Sequence, residues 1–185
     1  MKSMMLLAVF CITVLNGCSE TPTSPNQSTL ASEYYPLQIG NTWKYQILIR
    51  NTIVDSFDVS INSTQIFNGK TYFVVGKSSR NGKYAPSYCR TENDKVYHYS
   101  DGKEFATIDF ATKDTTIGYV YETVDAVVSA VGTFNKVKNV TWIASAWDAE
   151  PYKNSYVPNV GLIYSGSFGG ETTLIYAKVG DKIYK

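Results

Sequence analysis

Three dipeptides, Asn68-Gly69, Asn81-Gly82 and Asp101-Gly102, each followed by lysine, interrupt runs rich in β-branched and aromatic residues. A two-residue hairpin turn whose twist matches its strands needs positive φ angles, which Gly, Asn and Asp tolerate and most residues do not. Each dipeptide therefore predicts a tight antiparallel connection, because parallel neighbours need a crossover of a dozen residues or more. Asn93-Asp94-Lys95 and Gly180-Asp181-Lys182 are looser versions of the same device. The runs between the turns alternate as strands do. Trp43, Tyr45, Ile47 and Ile49 fall on one face, and Phe57, Val59 and Ile61 alternate with Asp58, Ser60 and Asn62. The best helical candidate, 124–131, is dominated by valine and reads equally well as a strand. Strands are expected near 42–50, 53–66, 71–79, 84–92, 95–100, 103–110, 116–122, 124–131, 135–145, 160–166 and 171–179. The fold class predicted is all-β: an antiparallel meander forming one strongly curved sheet, half-barrel or open barrel, with little helix. Residues 146–159, with Pro151 and Pro158, are expected to form the longest loop, where sites tend to sit.

The first residues have a different character. Residues 4–15 are apolar apart from Thr13 and follow Lys2. That pattern is a secretory signal, shorter than the roughly 20 apolar residues of a membrane-spanning helix. It ends Leu15-Asn16-Gly17-Cys18, which resembles the lipobox of bacterial lipoproteins, with Asn16 standing where Ala or Ser is usual. The resemblance implies cleavage before Cys18 and lipid attachment to it. One acyl chain anchors a protein marginally, whereas two or more hold it firmly. Residues 19–29 are polar, contain Pro22 and Pro25, and hold nothing that forms a core. The expected organisation is a signal peptide at 1–17, a lipidated flexible tether at 18–33, and one β domain at 34–185. Ser19 after the cysteine resembles lipoproteins sent to the outer membrane, with the periplasmic or surface face left open.

Charge and cysteine usage exclude several classes. With 17 basic and 16 acidic residues, the chain lacks the strongly basic balance expected of nucleic-acid binding. Cys11 lies in the signal and Cys18 takes lipid, so Cys89 stands alone in the domain, without a disulfide, and reads as a buried thiol. His98 is the sole histidine, and one histidine with one spare cysteine falls short of a zinc ligand set. No G-x-S-x-G elbow accompanies it. No metal, cofactor or catalytic residue is therefore expected, and His98 is expected to face solvent or lie on an edge strand.

Trp147-Asp148-Ala149-Glu150 is the most suggestive stretch for a site. If extended, Asp148 and Glu150 point to one side beside Trp147, the ingredients of glycan chemistry or binding. Trp147, Asp148 and Glu150 are thus the candidate ligand contacts, although a solvated acidic loop explains them as well. Tyrosine is the other resource, with 15 in the chain beside 8 Phe and 3 Trp. Tyr97 with Tyr99, and Tyr119 with Tyr121, are placed to line a concave sheet. Ordinary cross-strand aromatic pairing accounts for the same count.

Two blocks resemble a known group. Tyr35-Pro36-Leu37-Gln38-Ile39-Gly40-Asn41-Thr42-Trp43-Lys44-Tyr45 resembles the Y-P-L-x-x-G-N-x-W-x-Y opening of bacterial lipoproteins of unknown function. Val131-Gly132-Thr133-Phe134-Asn135-Lys136-Val137, followed by Tyr156-Val157-Pro158-Asn159-Val160-Gly161-Leu162-Ile163, resembles their distal block, with Val-Pro-Asn-Val-Gly in place of the usual Ala-Pro-Gly-Val-Gly. The resemblance implies a curved antiparallel sheet, a half-barrel akin to that of periplasmic lipoprotein carriers, and carries no catalytic residues. Gly40-Asn41 suits a turn into the first strand, Trp43 a core anchor, Gly132 a turn, and Gly161 a bulge or close backbone approach. The expected function is a non-catalytic envelope lipoprotein, held at the membrane through the Cys18 lipid, that binds an apolar or amphipathic ligand or a partner protein. The alternatives are a carbohydrate-active enzyme or glycan-binding module using 146–159, and a structural or assembly subunit at the outer membrane.

Overall fold

The computed structural model describes residues 29–112, 119–142, 151–167 and 169–185. Cys18 and the Trp147, Asp148 and Glu150 trio lie outside the described residues. In chain order the elements are α1 (Leu30–Tyr34), β1 (Thr42–Ile49), β2 (Thr52–Phe67), β3 (Lys70–Ser79), β4 (Gly82–Lys83), β5 (Ser87–Glu92), β6 (Lys95–Ser100) and β7 (Lys103–Asp109). They continue as β8 (Tyr119–Val124), β9 (Val127–Ser129), β10 (Gly132–Phe134), β11 (Val137–Trp142), β12 (Tyr152–Val157), β13 (Gly161–Ser167), β14 (Gly170–Val179) and β15 (Lys182–Tyr184).

One antiparallel sheet runs β7-β6-β5-β3-β2-β1-β14-β13-β12-β11-β8, with β15 added to β14 and β4 to β3; β9 and β10 form a separate hairpin. The all-β expectation is met, and the sheet curls without closing. Side chains of β6 and β7 line one cavity together with those of β8, β11 and β12, so the two ends of the strand order face each other. Register shifts after Lys44, Ile47, Ile61, Val96 and Ser155 supply the bending, since an extra residue in one strand bends it and increases its twist.

The turns explain the meander. Asn68 and Gly69, at φ 50° and 75°, join β2 to β3, and Asp101 and Gly102, at 51° and 76°, join β6 to β7. At Asn81-Gly82 only the glycine has positive φ, and the turn leads into two residues of β4 before β5 begins at Ser87. The β1–β2 turn uses Arg50 and Asn51, at 50° and 63°, with no glycine at all. That connection was invisible to turn chemistry.

Three sequence expectations need correction. The tether does not extend to residue 33. Thr29 caps α1 through a reciprocal pair with Ser32: Ser32 N donates to Thr29 Oγ1 (3.3 Å) and Thr29 N to Ser32 Oγ (3.0 Å). Leu30 N then donates to Asp94 Oδ1 (3.0 Å), the Tyr34 hydroxyl to the Lys136 carbonyl (2.7 Å), and Asn159 N to the Glu33 carbonyl (2.7 Å). Ala31 and Tyr34 are buried beside Val96, Phe110, Val140 and Tyr156, so the helix plugs one end of the curved sheet.

Nor is 146–159 a single loop, because β12 occupies its second half inside the sheet. Its polar residues disguised it: buried Ser155 donates to Asn139 Oδ1 (2.7 Å), and Asn139 Nδ2 donates to Glu122 Oε1 (2.7 Å). The strand expected at 124–131 is broken at Ala126 (φ 57°), where Asn135 Oδ1 accepts from Ala126 N (3.3 Å) and Asp125 Oδ1 from Lys136 N (3.0 Å).

On the inner face, Trp43 Nε1 donates to the Val160 carbonyl (2.6 Å) and the Tyr45 hydroxyl to the Leu162 carbonyl (3.0 Å). Gly161, at φ 97°, lets the backbone pass: a Cβ there would sit 3.4 Å from Pro36 Cδ and 3.6 Å from Trp43 Nε1. The opposite face is stapled by Glu104 of β7. It accepts from Arg90 Nε (2.6 Å) and Nη2 (2.9 Å) of β5, from Lys70 Nζ (2.8 Å), and from the Tyr72 hydroxyl. Phe67 stacks on Tyr99 at 4.3 Å and meets Tyr88 edge-on at 4.9 Å beside this network.

Trp43→Phe removes the indole donor and leaves the Val160 carbonyl unpaired in the core, a loss of about 2 kcal/mol that a shifted urea midpoint will report. Arg90, Lys70 and Tyr72 hold the Glu104 carboxyl far below its ordinary value of 4.5, the Arg90 hydrogen bonds being the largest influence. A depressed carboxylate stabilises the fold fully above that ordinary value, and the contribution is lost as pH falls below it. Glu104→Gln is expected to lower stability at neutral pH by about 2 kcal/mol, because it removes the closer of the two carboxylates, Glu104 and Glu92, that pair with a mostly buried guanidinium. Denaturation midpoints at pH 7 and pH 3 are expected to differ less in this variant than in the parent.

Candidate functional site

The concave face encloses two chambers. The deeper, of about 330 Å³, is lined by Trp43 and Tyr45 of β1, Phe57, Val59 and Ile61 of β2, and Val75 and Lys77 of β3. Pro36, Leu37, Gly161 and Leu162 close it from the opposite side, and Tyr84, Ala85 and Ser87 stand along it. The wider chamber, of about 600 Å³, lies between the facing ends of the sheet among His98, Thr107, Ile108, Tyr119, Val140, Trp142, Tyr152 and Asn154. Tyr35 and Tyr156 line both chambers, their rings 6.4 Å apart. Both volumes fall in the range of roughly 300–1,000 Å³ typical of small-molecule pockets.

The chemistry of the deeper chamber follows from where its polar tips go. The Trp43 and Tyr45 donors are spent on the Val160 and Leu162 carbonyls, so these residues present ring faces. Phe57 stacks on Tyr45 at 5.1 Å. Burial raises the Tyr45, Tyr156 and Tyr35 hydroxyls above their usual range, so all three stay neutral. Among the described residues, Lys77 is the one charged side chain lining this chamber, and its Nζ lies 3.9 Å from the Phe57 ring centre and 5.1 Å from that of Tyr84.

In the wider chamber, His98 is not the solvent-facing or edge-strand residue expected. β6 is hydrogen-bonded on both sides, and His98 shares its inner face with buried Val96. Cys89 Sγ lies 3.7 Å from His98 Nδ1 and 3.6 Å from Nε2. Burial pushes the Cys89 thiol up to about 11 and lowers the imidazole from its usual 6.5. Both shifts favour neutral partners, the reverse of the thiolate–imidazolium pair that a cysteine nucleophile uses.

The tyrosine expectations divide. Tyr119 lines the wider chamber and Tyr121 packs against the buried cluster beside it. Tyr97 and Tyr99 point to the opposite face, where Tyr97 lies under the Arg90 guanidinium at 4.4 Å. Tyr35, Trp43, Tyr45, Tyr156, Gly161 and Leu162 are chamber residues, and of these only Trp43 and Gly161 have a role legible in the sequence, a structural one. Their signal was present, because all six belong to the two motif blocks. Lys77 had none. Among the described residues, no group of three or more His, Cys, Asp or Glu side chains is arranged to hold a metal ion.

No family model matches the chain, and no curated protein matches it by sequence. Two solved structures resemble it in fold. One is a Bacteroides fragilis protein inferred to be exported and described as having a YmcC-like fold, with 11% identity and a TM-score of 0.55 over 79% of this chain and 99% of that one. The other is a Parabacteroides distasonis chain inferred to be a lipoprotein, with 10% identity, a TM-score of 0.43, and coverage of 79% and 98%. The first likeness shows a shared fold. The second is too distant to argue from.

A thiol that titrates near 11 is expected to react sluggishly with a maleimide at neutral pH in the folded protein. Its alkylation rate should climb about tenfold per pH unit through pH 8–10, as the thiolate fraction rises. Rapid labelling of Cys89 at pH 7 in the native state would contradict this burial.

Proposed function

We propose that this protein is a membrane-anchored envelope lipoprotein that binds an apolar or amphipathic small molecule inside its unclosed sheet, without chemical turnover. The observation that carries the reading is the pair of adjoining chambers sharing Tyr35 and Tyr156, with the polar tips of Trp43 and Tyr45 in the deeper one paired to backbone. A core whose purpose is stability alone fills such space, because interiors pack to crystal-like density. Support for the envelope location comes from the signal-like residues 4–15 and the Leu15-Asn16-Gly17-Cys18 lipobox, with Cys18 as the attachment point. The motif blocks that resemble bacterial lipoproteins agree with it.

The neutral Cys89–His98 pair supports binding over catalysis, since neither group is poised for nucleophilic or proton-transfer work. An exported domain with an aromatic cavity and a lipid tether suits capture or carriage of a poorly soluble molecule near a membrane.

Mass spectrometry of small molecules retained by the native, lipidated protein tests the reading, with co-purifying apolar or amphipathic compounds expected. Ala85→Trp places a bulky ring at an exposed position along the deeper chamber. This variant is expected to keep the parent's thermal midpoint within a few degrees, and to lose at least about tenfold in affinity for a fluorescent fatty-acyl probe. Undiminished probe binding by Ala85→Trp, with no retained compound in the parent, would sink the reading.

A further inference from the structure

We infer that the deeper chamber takes a single-chain carboxylate amphiphile, a long-chain fatty-acid anion, with its headgroup at Lys77 and its chain along Phe57, Tyr45 and Trp43. The inference rests on the reading of the chamber as a ligand site and assigns the chemistry of that ligand.

The first argument is charge. Lys77 is the one ionic side chain among the lining residues, and it stands exposed at the rim. Among the described residues it makes no ion pair. Its ammonium rests instead over the faces of Phe57 and Tyr84. Those contacts orient a cation without neutralising it. An incoming anion therefore meets an unpaired positive charge already held in place.

The second argument is the gradient of polarity. Around Lys77 lie the polar rim residues Tyr84, whose hydroxyl meets Ser79 Oγ at 3.3 Å, and Ser87. Past Lys77 the lining becomes Phe57, Tyr45, Val59, Ile61, Trp43 and Leu37, and the Trp43 and Tyr45 donors are already engaged by carbonyls. A molecule polar throughout, such as a glycan, would leave its hydroxyls unpaired there, at a cost of several kcal/mol. An uncharged hydrocarbon would make no use of the cation. A molecule with one anionic end and one apolar chain satisfies both regions.

The third argument is size. A chamber of about 330 Å³ suits one slender chain better than the two chains of a diacyl lipid. The wider chamber adjoins it across Tyr35 and Tyr156 and offers room for any chain that runs beyond them.

Displacement of a fluorescent fatty-acyl probe by palmitate and by the matching uncharged alcohol, hexadecanol, tests the assignment on the parent, Lys77→Arg and Lys77→Gln. In the parent, palmitate is expected to compete about tenfold better than hexadecanol, the scale of one charge-assisted hydrogen bond. Lys77→Gln is expected to abolish that preference while leaving hexadecanol unchanged, and Lys77→Arg to keep it. Equal competition by the two compounds in the parent, or a preference that survives Lys77→Gln, overturns the carboxylate assignment and leaves the chamber as a site for neutral apolar ligands. Failure of both compounds to displace the probe from the parent overturns the assignment together with the chamber reading.

Discussion

The indole of Trp43 donates to the Val160 carbonyl at 2.6 Å, and much of the molecule is arranged around that contact. It ties the first strand to the turn between β12 and β13, which lies across the interior of the sheet. For the indole to reach, the chain at residue 161 adopts φ 97°, a conformation that a residue with a Cβ would hold only under strain. Asn41, fully buried beside it, donates to the Pro36 carbonyl and accepts from Gly180 N, both at 2.9 Å. Three distant segments are thereby held at one point: the approach to β1, the β12–β13 turn and the β14–β15 turn. The floor of the deeper chamber is a by-product of this junction, because spending the Trp43 and Tyr45 donors on backbone leaves only their ring faces available.

The two faces of the β3–β5–β6–β7 half divide the labour. One carries Val96, His98 and Cys89 toward the interior, and the other carries the Glu104 network with its surrounding aromatics. Buried or half-buried charge stabilises only when its hydrogen-bonding capacity is met, and here one carboxylate serves Arg90, Lys70 and Tyr72 together. That network joins β3, β5 and β7 from outside. The inner face is thus relieved of supplying all the cohesion in this half of the sheet, and space inside it becomes tolerable. A cavity in a core costs stability in proportion to its volume, so a protein that keeps one needs such compensation elsewhere.

An unclosed sheet also leaves its ends to be managed. Unpaired strand edges invite association with other chains, and in this fold the edges β7 and β8 face each other across the wider chamber instead of lying apart. The five-residue helix α1 blocks one end by hydrogen bonds to Asp94, Lys136 and Asn159, residues drawn from three separate turns. Among the described residues, the interior opens on the side where Lys77 stands and between the sheet ends. The polarity of those two openings differs: the first bears the Lys77 cation over aromatic rings, the second the His98 imidazole among Tyr119, Trp142 and Tyr152.

Much of the architecture was legible in local chemistry. Asn68-Gly69 and Asp101-Gly102 announced their hairpins because positive φ at successive residues is a property of those residue types. The alternation from Trp43 to Ile49 announced β1 for a similarly local reason. Where the signal was non-local it failed. β12 was concealed because Ser155 owes its burial to Asn139, sixteen residues away, and Arg50-Asn51 turns without a glycine because flanking strands impose the conformation. The helix α1 is too short to show a periodic stripe and exists because its cap and its contacts with three turns hold it. By itself, then, the sequence determined the strand-and-turn grammar, the core identity of Trp43 and Gly161, and the signal and lipobox pattern ending at Cys18. Only the tertiary structure decided which aromatic faces point into a shared cavity, that Tyr97 and Tyr99 point away from it, and that Lys77 stands at its rim over the rings of Phe57 and Tyr84. Those facts depend on sheet curvature and on pairings between residues far apart in the chain, and no local pattern encodes them.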